Sequence, residues 1–155
     1  MTTRISPVKP GRLKSGDTVA ILSPSWGGPG AFPAAYDLGV RNLGESLGVR
    51  VKEYSTTRAD PSYIYAHPQE RAEDLNRAFG DVEVRAIFSS IGGDDSVRIL
   101  PFLDLELITR NPKIVMGFSD TTTILTHLNQ AGARTLNCPS TPAGRAGRSR
   151  LGGEA

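Results

Sequence analysis

One cysteine in 155 residues, Cys138, rules out an internal disulfide. With two histidines besides, the chain offers no cluster with metal-ligand spacing, so neither a metal nor a cofactor is expected. A disulfide-free composition suits a reducing compartment, and a cytoplasmic location is the expectation. No apolar run approaches the roughly 20 residues that span a bilayer. The opening Met1-Thr2-Thr3-Arg4-Ile5-Ser6-Pro7 also lacks the apolar core of a signal peptide, so no membrane partner is expected. Charge is scarce too. The net charge is +2, and residues 138 to 155, with three Arg and one Glu, supply all of it. No basic patch is left to argue for nucleic acid. Walker spacing, a G-x-G-x-x-G run and internal repeats are all missing.

What is there amounts to one domain, long enough to bury roughly 70% of its unfolded surface. After a Pro- and Gly-punctuated lead-in over residues 1 to 16, Thr18 to Leu22 is a continuous apolar run, as in a parallel strand covered on both faces. A glycine-rich loop, residues 23 to 30, follows at its carboxyl end, where open α/β sheets place ligand loops. Tyr36, Val40, Leu43 and Leu47 then mark one face of a helix over 34 to 47, closed by Gly48. Residues 49 to 54 alternate like a strand nearer an edge, and 55 to 66 read as a polar loop carrying Tyr63 and Tyr65. Pro68 opens a helix that runs to Gly80 on Ala72, Leu75 and Phe79. Val84 to Phe88 is the next strand, ending in a second glycine loop, residues 89 to 95. Short helical segments follow over 97 to 108, and a last strand is expected at Thr135-Leu136. Strand and helix alternate throughout, which predicts an α/β, doubly wound, mostly parallel sheet with helices on both faces. The predicted domain is 17 to 137. Residues 138 to 155 hold a single large aliphatic, Leu151, and are expected to be disordered.

The chain is organised around residues 113 to 128. Lys113-Ile-Val-Met116 reads as a short buried strand, and from Thr121 the apolar positions Ile124, Leu125 and Leu128 take helical spacing. Only Gly117, Phe118, Ser119 and Asp120 lie between. A reversal that tight strains its middle residue and holds its side chain at the carboxyl edge of the sheet, above a helix N-terminus. That is the mechanics of a nucleophile elbow, although Thr121 stands where the usual motif has glycine. The alternative is that Ser119 or Asp120 simply caps the helix. At this level both readings stand.

Four motifs in order carry a resemblance: residues 16 to 25 (GDTVAILSPS), 70 to 76 (ERAEDLN), 91 to 95 (IGGDD) and 111 to 122 (NPKIVMGFSDTT). From about Leu13 to Leu136 the chain resembles the LD-carboxypeptidase and microcin-immunity group of serine peptidases, closer to the immunity branch. The resemblance implies Ser119 as nucleophile. It implies the backbone N–H groups of Gly93 and Asp120 as the oxyanion hole. It also implies amide hydrolysis of small peptides or peptide conjugates, and a homodimer as partner. Family members are about twice this length, and their catalytic His and Glu lie in a second, C-terminal domain. His127 is eight residues beyond Ser119, about 12 Å along a helix and out of hydrogen-bond reach. His67 is most simply a residue at a helix start. The chain alone is therefore expected to be inactive, and its Arg/Gly/Ala tail resembles the product of a shifted frame or truncated gene. Sequencing the DNA downstream tests that expectation. The alternative function is a non-catalytic α/β binding module, or a decayed remnant of such an enzyme. A flavodoxin-like nucleotide binder using loop 23 to 30 is the weakest reading.

Overall fold

β1 (Thr18–Leu22) is buried at every position, as a central parallel strand with both faces covered must be. In this computed structural model, which describes residues 9–133 and 135–137, β1 pairs in parallel with β2 (Arg50–Glu53) and with β3 (Val84–Ser89). β4 (Ile114–Gly117) and β5 (Thr135–Asn137) continue the sheet beyond β3, again in parallel. The order is β2-β1-β3-β4-β5. In this order the winding reverses between β1 and β3, so the loops leaving their carboxyl ends part and open a crevice there. The expected doubly wound α/β fold is the one observed. The tail from 138 to 155, read as disordered from its composition, lies outside the described residues.

Helices cover both faces. On one side, Tyr36 and Leu43 of α2, which follows the single turn α1 (Gly28–Ala31) and spans Pro33–Leu47, pack on Val19, Ile21, Ala86 and Phe88. On the other, α4 (Pro68–Gly80), α5 (Leu105–Arg110) and α6 (Thr122–Gln130) set Leu75, Phe79, Ile108, Ile124 and Leu128 against Leu22, Ile87 and Val115. The alternation of β1 and β3 residues between these two cores is the period-two pattern of a strand made physical. α2 stops at Gly48, whose φ of 65° is the left-handed cap foreseen from its glycine. No helix among the described residues is long and apolar enough to cross a membrane.

Some expectations need correction. The polar loop over 55 to 66 contains a helix, α3 (Pro61–Ala66), whose N-cap Asp60 accepts the Ser62 N–H at 2.8 Å. Six residues are too few to show an apolar period, but Asp60-Pro61 was a legible start signal. Likewise loop 23 to 30 is interrupted by α1. β2 is shorter than residues 49 to 54, because the Tyr54 N–H leaves the ladder to bond Thr57 Oγ1 at 2.9 Å. β4 starts at Ile114 rather than Lys113 and extends through Gly117.

Candidate active site

The chain leaves β4 fully extended at Phe118 (φ −155°, ψ 178°) and then reverses at Ser119. Ser119 has φ 57°, the only positive φ of a non-glycine residue among those described. A left-handed serine of this kind costs on the order of 1 kcal/mol or more, so its surroundings must impose it. A 3-10 turn over Ser119–Thr121 then feeds α6. Gly117 is required by this geometry, because a Cβ there would stand 2.6 Å from the Thr121 methyl. Thr121 thus fills the space that the generic motif leaves to a second glycine. Its hydroxyl also pairs with Ser89 Oγ at 3.0 Å, tying the turn to the end of β3.

Ser119 is exposed, and its hydroxyl bonds no described residue. The neighbouring carboxylate does not cap α6 either. Asp120 Oδ2 instead accepts the Asp95 N–H at 3.1 Å, the Ser96 N–H at 2.9 Å and the Ser25 hydroxyl. Ser96 Oγ in turn donates to the Asp120 carbonyl at 2.8 Å. So the residue after the serine locks the β4 loop to the loops that follow β1 and β3. Among the described residues no side-chain cap hydrogen bond is found at the start of the 3-10 turn or of α6, so capping by Ser119 or Asp120, the alternative left open by the sequence, has no such bond behind it there.

The paired glycines do different jobs. Gly92 is buried against the serine: a Cβ on it would lie 2.8 Å from Ser119 Cβ and 3.1 Å from Oγ. Gly93, named from the sequence, faces the β1 loop, where a Cβ would meet Ser25 Oγ at 2.6 Å and Trp26 Cβ at 3.0 Å. Its N–H donates to no described residue. Ser119, Asp120 and the Gly92–Gly93 segment therefore meet at the carboxyl edge of the sheet, beside the crevice between β1 and β3. The two histidines lie apart from this group in the bonding pattern. His67 joins α3 to α4, with Nδ1 2.8 Å from the Tyr63 carbonyl and its ring stacked on Tyr63 at 3.9 Å. His127 sits in the last turn of α6.

Sequence reasoning missed the polar groups under the site. Arg71 of α4 is fully buried, with Nη1 donating at 3.0 Å to both the Pro24 and Ser25 carbonyls and Nη2 2.7 Å from Asp95 Oδ2. Asp74, one turn on, accepts Ser55 Oγ, Thr56 N and Thr56 Oγ1 within 2.9 Å and fixes the loop after β2. The available signal was positional. Residues 71, 74, 75 and 78 share one helical face, so two charges fall on the buried stripe of Leu75 and Ala78.

Comparison with known proteins places the chain in a family. A family model described as LD-carboxypeptidase N-terminal domain matches residues 19–137. The Bacillus subtilis (strain 168) protein named probable murein peptide carboxypeptidase is 35% identical over 132 residues, covering 84% of this chain and 40% of the relative. The Escherichia coli microcin C7 self-immunity protein MccF is 33% identical over 125 residues, covering 81% of this chain and 36% of the relative. Among solved structures, an MccF-like protein from Streptococcus pneumoniae, in complex with AMP, superimposes with a TM-score of 0.74 at 34% identity. That match covers 83% of this chain and 38% of the other. The chain thus spans well under half the length of the relatives it matches. With the family model covering most of the chain and relatives from both branches aligning across it, the chain belongs to the LD-carboxypeptidase and MccF family of serine peptidases, and the matched part is that family's N-terminal domain.

Proposed function

We propose that Ser119 is the nucleophile of a serine peptidase site that hydrolyses amide bonds of small peptides or peptide conjugates. The observation that carries this reading is the φ of 57° at an exposed serine whose hydroxyl is uncommitted, set between a strand and a helix. Strain of that kind persists only where the fold over-determines it, and here its effect is to present the hydroxyl. In the proposed reaction Ser119 Oγ attacks the carbonyl carbon, and the tetrahedral oxyanion is held by the Asp120 and Gly93 N–H groups. The Gly93 N–H, which donates to no described residue, and the contact of the adjacent Gly92 with Ser119 support that assignment. Peptide conjugates with a nucleotide enter as candidates from the MccF resemblance, and murein-derived peptides from the carboxypeptidase relatives.

A proton acceptor for the Ser119 hydroxyl is not bonded to it among the described residues, and a serine without a base is a poor nucleophile near neutral pH. The proposed acceptor is the His–Glu pair that the family carries in its second domain. The chain by itself should then show negligible turnover and could still bind a peptide, which is the non-catalytic reading. Adding a relative's C-terminal domain as a separate polypeptide tests both. Amidase activity that appears on mixing and vanishes with Ser119→Ala is the expected result. Activity that survives Ser119→Ala would remove Ser119 from the mechanism. Peptide binding with no activity on mixing would leave the binding-module reading in its place.

A further inference from the structure

We infer that Arg71 is a positioning residue for the Ser119 elbow: it fixes the loops that hold Asp120, and through Asp120 the nucleophile and its oxyanion donors. The inference rests on the reading of Ser119 given above and adds a residue to it. Arg71 Nη1 holds the β1 loop through the Pro24 and Ser25 carbonyls, while Nη2 holds the β3 loop through Asp95 Oδ2. From those same loops, the Ser25 hydroxyl and the Asp95 and Ser96 N–H groups converge on a single oxygen, Asp120 Oδ2. The bonds close a ring from Arg71 through Ser25, Asp120 and Asp95 back to Arg71. Every member except Arg71 lies in a loop at the carboxyl edge of the sheet; Arg71 reaches that edge from α4 beneath it.

The chemistry of the side chain fits this task. A guanidinium presents its donors in a rigid planar fork and can hold carbonyl and carboxylate acceptors in fixed relative positions, which an ammonium on a flexible stem cannot do. Arg71 is among the largest fully buried side chains, and its Nε is buried without a partner among the described residues. A charge buried with one donor unpaired is a poor route to stability, since apolar residues fill such space at lower cost. Its placement is accounted for by what it orders. Asp95 is also approached from outside by Arg98 Nη1 at 3.3 Å, so the carboxylate is held between two cations while its backbone N–H faces Asp120.

The test uses the full chain and a thiol at the elbow. Ser119→Cys in a Cys138→Ser background leaves one thiol, and the pH dependence of its alkylation by iodoacetamide reads its pKa. At a helix N-terminus, facing ordered N–H donors, that pKa should fall clearly below the free-thiol value of about 8.5. Adding Arg71→Lys keeps the charge and removes the fork, so a purely electrostatic or purely structural role leaves the thiol pKa where it was. The inference expects it to return toward the free value by about one unit or more, with Arg110→Lys, an exposed α5 arginine, as the unaffected control. If Arg71→Lys fails to fold, Ser25→Ala removes the hydroxyl that joins the β1 loop to Asp120 without changing any charge, and it should raise the thiol pKa in the same direction. A depressed pKa that stays put in the folded ring variants would overturn the role of Arg71 and leave Ser119 standing. An ordinary pKa before any ring variant is made would overturn the elbow reading itself, and the inference with it.

Discussion

Gly92 lies so close to Ser119 that a Cβ on it would stand 2.8 Å from the serine Cβ, a separation real side chains do not adopt. The obstructing atom is one bond from the backbone of a strained turn, so no flexible side chain can swing away. Gly92→Ala should therefore push the β3 loop off the elbow. Overpacking of this sort costs about 1–3 kcal/mol. Urea unfolding monitored by Trp26 fluorescence checks the expectation, and a midpoint equal to that of the native chain would show that the loop yields freely.

A second prediction separates strain from capping at Ser119. With its φ of 57° and no cap hydrogen bond to lose, Ser119→Gly should leave stability unchanged or raise it by a few tenths to about 1 kcal/mol. Ser119→Ala should be close to neutral. An N-cap serine would instead cost about 1 kcal/mol on replacement by alanine. Denaturation midpoints of the two variants measured side by side decide between these outcomes.

The elbow could be read in the sequence because a strand-like run and a helical run are separated by so little chain that only a reversal with a glycine before it can join them. α2, α4 and α6 could be read because each buries a stripe whose period survives in the sequence, and β1 because its apolar run is unbroken. α3 shows no period in its six residues, and only Asp60-Pro61 at its start marks it. Which of two adjacent glycines touches Ser119 depends on where β3 stops, and β3 runs one residue further than Val84 to Phe88 suggested. The Arg71 ring was hidden for a different reason. Its partners are two main-chain carbonyls and an aspartate from the loops after β1 and β3, far apart in sequence. A charged residue on a helix ordinarily faces water, so only its position on the buried stripe of α4 sets it apart.

Acid should act on the junction between β2 and the end of α4. Lys52 Nζ lies 2.6 Å from Asp81 Oδ2, and this ion pair is the chief cause that holds the Asp81 carboxyl at about 2, against an ordinary 3.8. The Tyr54 hydroxyl, donating at 2.9 Å, acts in the same direction. A depressed carboxyl pKa means that the unfolded chain binds the proton first. The stability it contributes is complete above the unfolded value and is lost as pH falls from about 4 to about 2. Asp81→Asn should flatten the stability curve within that window and leave its shape between about pH 5 and 7 unchanged. Equal slopes for native chain and variant between pH 4 and 2 would show that other carboxyls govern the acid limb.

Lys113 gives a dependence of the same sign at the alkaline end. Its ammonium is drawn under the last turn of α4, donating to the Ala78 carbonyl at 2.9 Å and to the Asp81 carbonyl, so it satisfies helix-end acceptors that α4 itself leaves open. Burial is the largest influence on it and lowers its pKa from 10.5 to about 8, with Asp81 opposing and Arg85 and Lys52 adding to the fall. Between those two values the unfolded chain binds more protons than the folded one, so folding should be favoured progressively as pH rises from about 8 to about 10.5. Tyrosines whose pKa is raised, Tyr54 among them, pull the other way above pH 10, so the useful quantity is the difference between native chain and variant. Lys113→Met removes the titrating group and leaves the Ala78 carbonyl without its donor, while the Asp81 carbonyl keeps the Val84 N–H at 3.1 Å. Subtracting the variant's unfolding free energy from the native value at each pH should give a curve that climbs through this window. A difference that is level or falls there would mean that the two carbonyls hold the ammonium charged in the fold despite its burial.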